Sequence, residues 1–169
     1  MWHPAVYGFN GDDASMIAPL HSMKYEQWWF RGKRNDKPRA RVTLNAGGTT
    51  ILETACERQH TTFGGAAKSK NHPCPTDPPA AHTALGKELD KNALTGCALA
   101  IAYKSDAMKV NPEDFVVFSV QKDCVFRRFT HFKIPKLPKC PGGKCVCAWF
   151  WQGKVSGDEM VSASFVSTL

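Results

Sequence analysis

Seven cysteines and six histidines are the side chains of this 169-residue chain best suited to ligating a metal, forming disulfides or acting as nucleophiles. The cysteines stand at 56, 74, 97, 124, 140, 145 and 147, three of them within "KCPGGKCVC". Zinc sites are usually built from close pairs of the CxxC kind. No CxxC occurs, and Cys145-Val146-Cys147 suits a chelating pair poorly. A disulfide framework explains the usage better, and it implies an oxidising compartment. Yet the opening "MWHPAVYGFN" has no basic stretch, apolar core or small-residue cleavage site of a signal peptide. Two readings stay open: a cytosolic protein with reduced cysteines, or a chain whose true amino terminus lies upstream.

The totals frame this chemistry. The chain is 43% hydrophobic and 22% charged, enough for one domain with a real core. No apolar run approaches the ~20 residues of a membrane helix, so no membrane partner is expected. The net charge of +7 concentrates in "RGKRNDKPRAR" (31 to 41) and "FRRFTHFKIPKLPK" (126 to 139). Aromatics interleave with the second run, as on single-strand nucleic-acid surfaces. No recognition-helix, RNP or zinc-finger pattern accompanies it, so solvated strand faces are the reading and no nucleic-acid partner is expected.

Positioning these groups falls to short strands. "RARVTL" (39 to 44), "TTILETAC" (49 to 56), "GCALAIAY" (96 to 103), "DFVVFSV" (114 to 120), "CVFRRFTHF" (124 to 132) and "CVCAWFW" (145 to 151) are rich in Val, Ile, Thr and aromatics. Turn chemistry separates them in "NAGGTT", "NHPCPTDPP" and "CPGGKC", and no long amphipathic helical window appears. The fold class is all-β, an antiparallel sandwich. Alternation puts Trp149 and Trp151 on one sheet face, in the core rather than on a sugar platform, and "YEQWWF" reads as strand core or an edge cover. Residues 56 to 95 form a long insertion rich in Gly, Pro, Lys and Asn.

Taken together, "WHPAVYGFN", "YEQWWFRG", "AGGTTILETAC", "CALAIAYKSDAMKVNPEDFVVFSV" and "CAWFW" resemble the lytic polysaccharide monooxygenases of auxiliary activity family 14, secreted fungal copper enzymes. The resemblance runs from about Trp2 to Trp151 and implies an immunoglobulin-like or fibronectin-III-like sandwich, incomplete in this chain. It also implies one copper ion in a histidine brace, an insoluble plant cell-wall polysaccharide such as xylan or cellulose as substrate, an external electron donor and an extracellular location. Amine and imidazole nitrogens in one plane suit copper and leave positions open for an oxidant.

Carried over residue by residue, the brace's second histidine matches His82 in "PAAHTALGKELD". Without the family, His82 is a solvated loop imidazole. The brace's first histidine has no match, because the chain begins with Met1 before Trp2-His3-Pro4, and His3 matches a position that is no ligand in the family. The axial tyrosine has no match in "QGKVSGDEMVSASFVSTL" either. The expectation is a sandwich domain over residues 1–152, a tail over 153–169 outside the family, and a sequence truncated at both ends, with Lys154-Val155-Ser156 marking a splice donor read through. The family pairing would join Cys56 to Cys74, Cys97 to Cys124 and Cys140 to Cys145, with the counterpart of Cys147 bonded further downstream. The competing reading is a non-catalytic sandwich, either a degenerate relative or a carbohydrate-binding module.

Overall fold

A computed structural model describes residues 23–29, 41–56, 58–64, 71–74, 89–153 and 160–168. One helical turn, α1 (Tyr25–Trp28), precedes the strands β1 (Arg41–Thr43), β2 (Thr49–Glu53), β3 (Cys97–Ala102), β4 (Val116–Gln121), β5 (Phe129–Lys133), β6 (Cys145–Gln152) and β7 (Met160–Thr168). Five strands form one sheet in the order β1-β7-β6-β3-β4, and β2 with β5 forms a second. The protein is an all-β sandwich. Its pairs are antiparallel except β1 with β7, which run parallel, a departure from the wholly antiparallel sheet expected.

The apolar pattern explains the layers. β2 alternates, with Thr50 and Leu52 buried and Thr49 and Ile51 exposed, and β5 buries Thr130 and Phe132. Their register sets Leu52 opposite Thr130 and Thr50 opposite Phe132, so the small sheet has one dry face and one wet one. By contrast β3 and β6 are apolar almost throughout, because both faces of the large sheet are covered at these two strands. Cys97, Leu99, Ile101, Cys145, Cys147, Trp149 and Trp151 pack with Leu44, Leu52, Phe132 and Ile134 in the core between the sheets. Ala102, Val146 and Ala148 turn the other way and pack against Trp29 and Val110.

Trp149 and Trp151 are therefore core residues, stacked at 6.5 Å between ring centroids. Burying such a side chain contributes about 3 kcal/mol. The "YEQWWF" segment does cover a sheet face, but as the turn α1 rather than as a strand. Trp29 donates from Nε1 to the Ala107 carbonyl at 2.9 Å, and Tyr25 from its hydroxyl to the Val110 carbonyl at 2.7 Å. Those bonds fasten the early chain to the loop between β3 and β4. The side chains of Trp28 and Phe30 in the same segment lie outside the described residues.

Residues 153–169 were expected as a tail outside the family. The backbone of Met160–Thr168 instead forms β7 and pairs with β6 from Cys145↔Ser167 to Gln152↔Met160. "MVSASFVST" supports this, since Val, Thr and Phe recur there with small residues between them and no Gly or Pro interrupts the run.

Three disulfides join Cys56 to Cys74, Cys97 to Cys124 and Cys140 to Cys145, the pairing that the resemblance implied. Cys147 is buried in β6 and belongs to none of the three. In the small Cys140–Cys145 ring, Gly142 and Gly143 take φ of +62° and +76°, a region costly for residues with a Cβ. At the start of β3, Gly96 has φ +97°, and a Cβ there would lie 2.7 Å from the Gln121 carbonyl oxygen. Only glycine lets the chain enter β3 so close to the end of β4.

Candidate functional site

His82, the candidate copper ligand, lies outside the described residues, as does His3. The described chain on either side of the His82 segment is firmly anchored. Upstream, Cys74 is buried and bonded to Cys56. Downstream, Leu89 packs against the inter-sheet core, Asp90 caps the turn Lys91–Ala93 by accepting from the Asn92 amide at 2.9 Å, and Thr95 donates its hydroxyl to the Gln152 carbonyl. Among the described residues, no group of three His, Cys, Asp or Glu side chains could hold a metal ion. These residues do not by themselves form the copper site that the resemblance implies.

Two other polar assemblies are built by the small sheet. The first is centred on Arg128, just before β5 and 8% exposed. Its Nε lies 3.2 Å from Glu53 Oε1, its Nη1 donates to the His60 carbonyl at 2.9 Å, and its backbone amide donates to the Asn71 carbonyl at 2.7 Å. Glu53 also accepts from the Thr62 amide at 2.8 Å and the Thr62 hydroxyl at 2.6 Å. A charge this buried must be paired. Here the pairing fastens the excursion through 58–64 and 71–74 onto β2 and β5.

His72 belongs to the same excursion. Its Nδ1 accepts from the Cys74 amide at 3.0 Å, which requires that nitrogen to be unprotonated. Burial, and then the neighbouring His60, lower its pKa below the ordinary 6.5. A lowered histidine pKa means that the unfolded chain takes up a proton first as pH falls. The contribution of His72 is thus whole above about pH 6.5 and is lost as pH drops through its folded value. His72→Asn keeps an acceptor two residues before the Cys74 amide but removes the titration. Melting curves between pH 7 and pH 5 should show a shallower fall in midpoint for His72→Asn than for the parent; equal slopes would refute the assignment.

The second assembly is a groove of about 640 Å³ on the outer face of the small sheet. Ile51, 54% exposed, sits opposite His131 across the β2–β5 register, and Phe129 lies two residues before His131 on the same face. The Gln121 side-chain amide donates to the His131 carbonyl, closing one end. Asn71, Asp123 and Arg127 line the rest. Asp123 has Lys91 as a partner at 4.0 Å, both exposed. The groove thus offers an apolar floor rimmed by planar hydrogen-bonding groups.

Sequence reasoning did not single out this groove. The signal was the basic and aromatic run from Phe126 onward, which was weighed for nucleic acid and read as solvated strand faces. Ile51 and Asn71 join the groove only through folding.

Comparison with known proteins shows the family. The profile of lytic polysaccharide monooxygenase AA14 matches residues 1–165. An AA14 family lytic polysaccharide monooxygenase B of Pycnoporus cinnabarinus is 38% identical over 175 residues, covering 95% of this chain and 46% of that protein. The B and A proteins of Trametes coccinea (strain BRFM310) are each 39% identical, covering 95% and 89% of this chain and 41% and 37% of their own lengths. The chain spans less than half the length of these relatives. With a match from residue 1 to residue 165, the chain belongs to the AA14 family of lytic polysaccharide monooxygenases.

Proposed function

We propose that this chain is part of a copper-dependent lytic polysaccharide monooxygenase that acts outside the cell on insoluble plant cell-wall polysaccharide, xylan or cellulose, with an external electron donor. The observation that carries this reading is family membership over residues 1–165. Three disulfides support an oxidising, extracellular setting. His82 is the residue proposed to give copper an imidazole nitrogen. Copper held there would supply the oxidative chemistry that cleaves the glycosidic chain. The part of the described chain in this is to hold both ends of the His82 segment against the sandwich.

Copper titration followed by calorimetry and electron paramagnetic resonance tests the assignment. His82→Ala should weaken Cu(II) binding more than about tenfold, the least that even an outer-shell change usually costs, while His72→Asn should leave it unchanged. Equal affinity in His82→Ala and the parent would remove His82 from the site. A second reading is a non-catalytic polysaccharide-binding sandwich. Retention on polysaccharide without copper-dependent oxidation would select it.

A further inference from the structure

We propose that the groove over the outer face of the β2–β5 sheet binds a polysaccharide strand bearing uronic acid groups. The proposal rests on the polysaccharide reading above and adds a place and a chemical preference. A pyranose ring has an apolar C–H face and a rim of hydroxyls. It is held best where an apolar floor meets planar side chains that bond two neighbouring hydroxyls at once. Ile51 and Phe129 provide that floor, and Asn71, Gln121 and Arg127 provide the planar groups.

Charge decides which sugar fits. Among the described residues, the two acids on this side are matched: Asp123 by Lys91 at 4.0 Å, and Glu53 by Arg128 at 3.2 Å. That leaves Arg127 in the groove and Lys133, exposed two residues beyond His131 on the same face of β5, as positive charge in excess. A guanidinium pairs with a carboxylate through two parallel hydrogen bonds, whereas a neutral hydroxyl offers it much less. The groove is open and solvated, so the preference it gives is modest and salt-dependent.

Affinity electrophoresis of the whole chain in gels of a glucuronic-acid-substituted xylan, against the same xylan with its carboxyls reduced to alcohols, tests the proposal. Retention should be about fivefold stronger on the acidic form at low salt. Arg127→Gln should remove that preference and keep the weaker neutral retention. Ile51→Thr, which keeps a β-branched side chain on an exposed strand position, should weaken retention on both forms. Equal retention on the two xylans, parent-like retention by both variants, or equally strong retention on polyglutamate would overturn it. In the parent chain, retention on both xylans without any acid preference defeats this inference alone. No retention on either xylan defeats the polysaccharide reading itself, and copper titration reports separately on His82.

Discussion

Arg128→Met is expected to lower the unfolding free energy by about 3–5 kcal/mol, the cost of leaving a buried carboxylate without its cation. Glu53 would be that carboxylate. Its side chain is only 10% exposed, and after the substitution it would keep the Thr62 bonds but no counter-charge. The His60 and Asn71 carbonyls need separate treatment. The Asn71 bond comes from the Arg128 backbone and survives, while the His60 carbonyl loses its bond from the guanidinium. Most of the cost is therefore electrostatic, and a second change should recover part of it. Glu53→Gln in the Arg128→Met background removes the stranded charge and keeps an acceptor for Thr62. Urea unfolding of the parent, single and double variants measures this directly. A single variant losing less than about 1 kcal/mol, the size of an exposed pair, would show that the cluster is not the clamp described.

Removing the Cys97–Cys124 bridge by Cys97→Ala and Cys124→Ala is expected to cost about 3–4 kcal/mol in the loop-entropy account, because it closes the longest loop of the three. Its partners are 27 residues apart, against 18 for Cys56–Cys74 and 5 for Cys140–Cys145. The same relation gives the smallest ring only about 2 kcal/mol. Alanine is the right replacement, since Cys97 and Cys124 are 3% and 0% exposed and a serine hydroxyl would be buried there. The bridge also sits beside Gly96, where β3 enters close to the end of β4, so its loss should loosen both strands together. Urea midpoints of the three bridge-deleted variants, taken with their slopes, should rank Cys97–Cys124 first and Cys140–Cys145 last. The reverse order would mean that unfolded-chain entropy is not what these bridges act on.

Much of the strand framework was legible because its causes are local. β6 and β3 fall almost where "CVCAWFW" and "GCALAIAY" put them, and β2 starts where "TTILETAC" does. Alternation alone was enough to send Trp149 and Trp151 to one face. The run "CVFRRFTHF" was less faithful, for β5 begins only at Phe129. Cys124 is bonded to Cys97 and Val125 is buried, so the first part of that run bends to serve the core instead of extending. The segment "YEQWWF" has the composition of a strand but folds as a turn, because the hydrogen bonds of Tyr25 and Trp29 reach the loop between β3 and β4.

The polar assemblies were harder to foresee. Arg128 lies in a basic run that reads as surface, yet it is buried because Glu53, His60 and Asn71 arrive from three other stretches of chain. Ile51 reads as one more apolar strand residue, and only its register opposite His131 puts it on the wet face and makes it a groove floor. The candidate ligand His82 came from family resemblance, and spacing alone would not have marked it out.

By itself, then, the order of residues determined the all-β class, most strand positions, the two inward tryptophans and, through family likeness, the cysteine pairing. These follow from side-chain alternation and turn chemistry, which act over a few residues. Tertiary structure decided that β7 closes the open edge of β6, that one strand pair runs parallel, that Arg128 is a buried clamp and that a charged groove lies over β2 and β5. Each of those depends on which distant segments share a surface, and burial and charge pairing settle that only once the whole sandwich has formed.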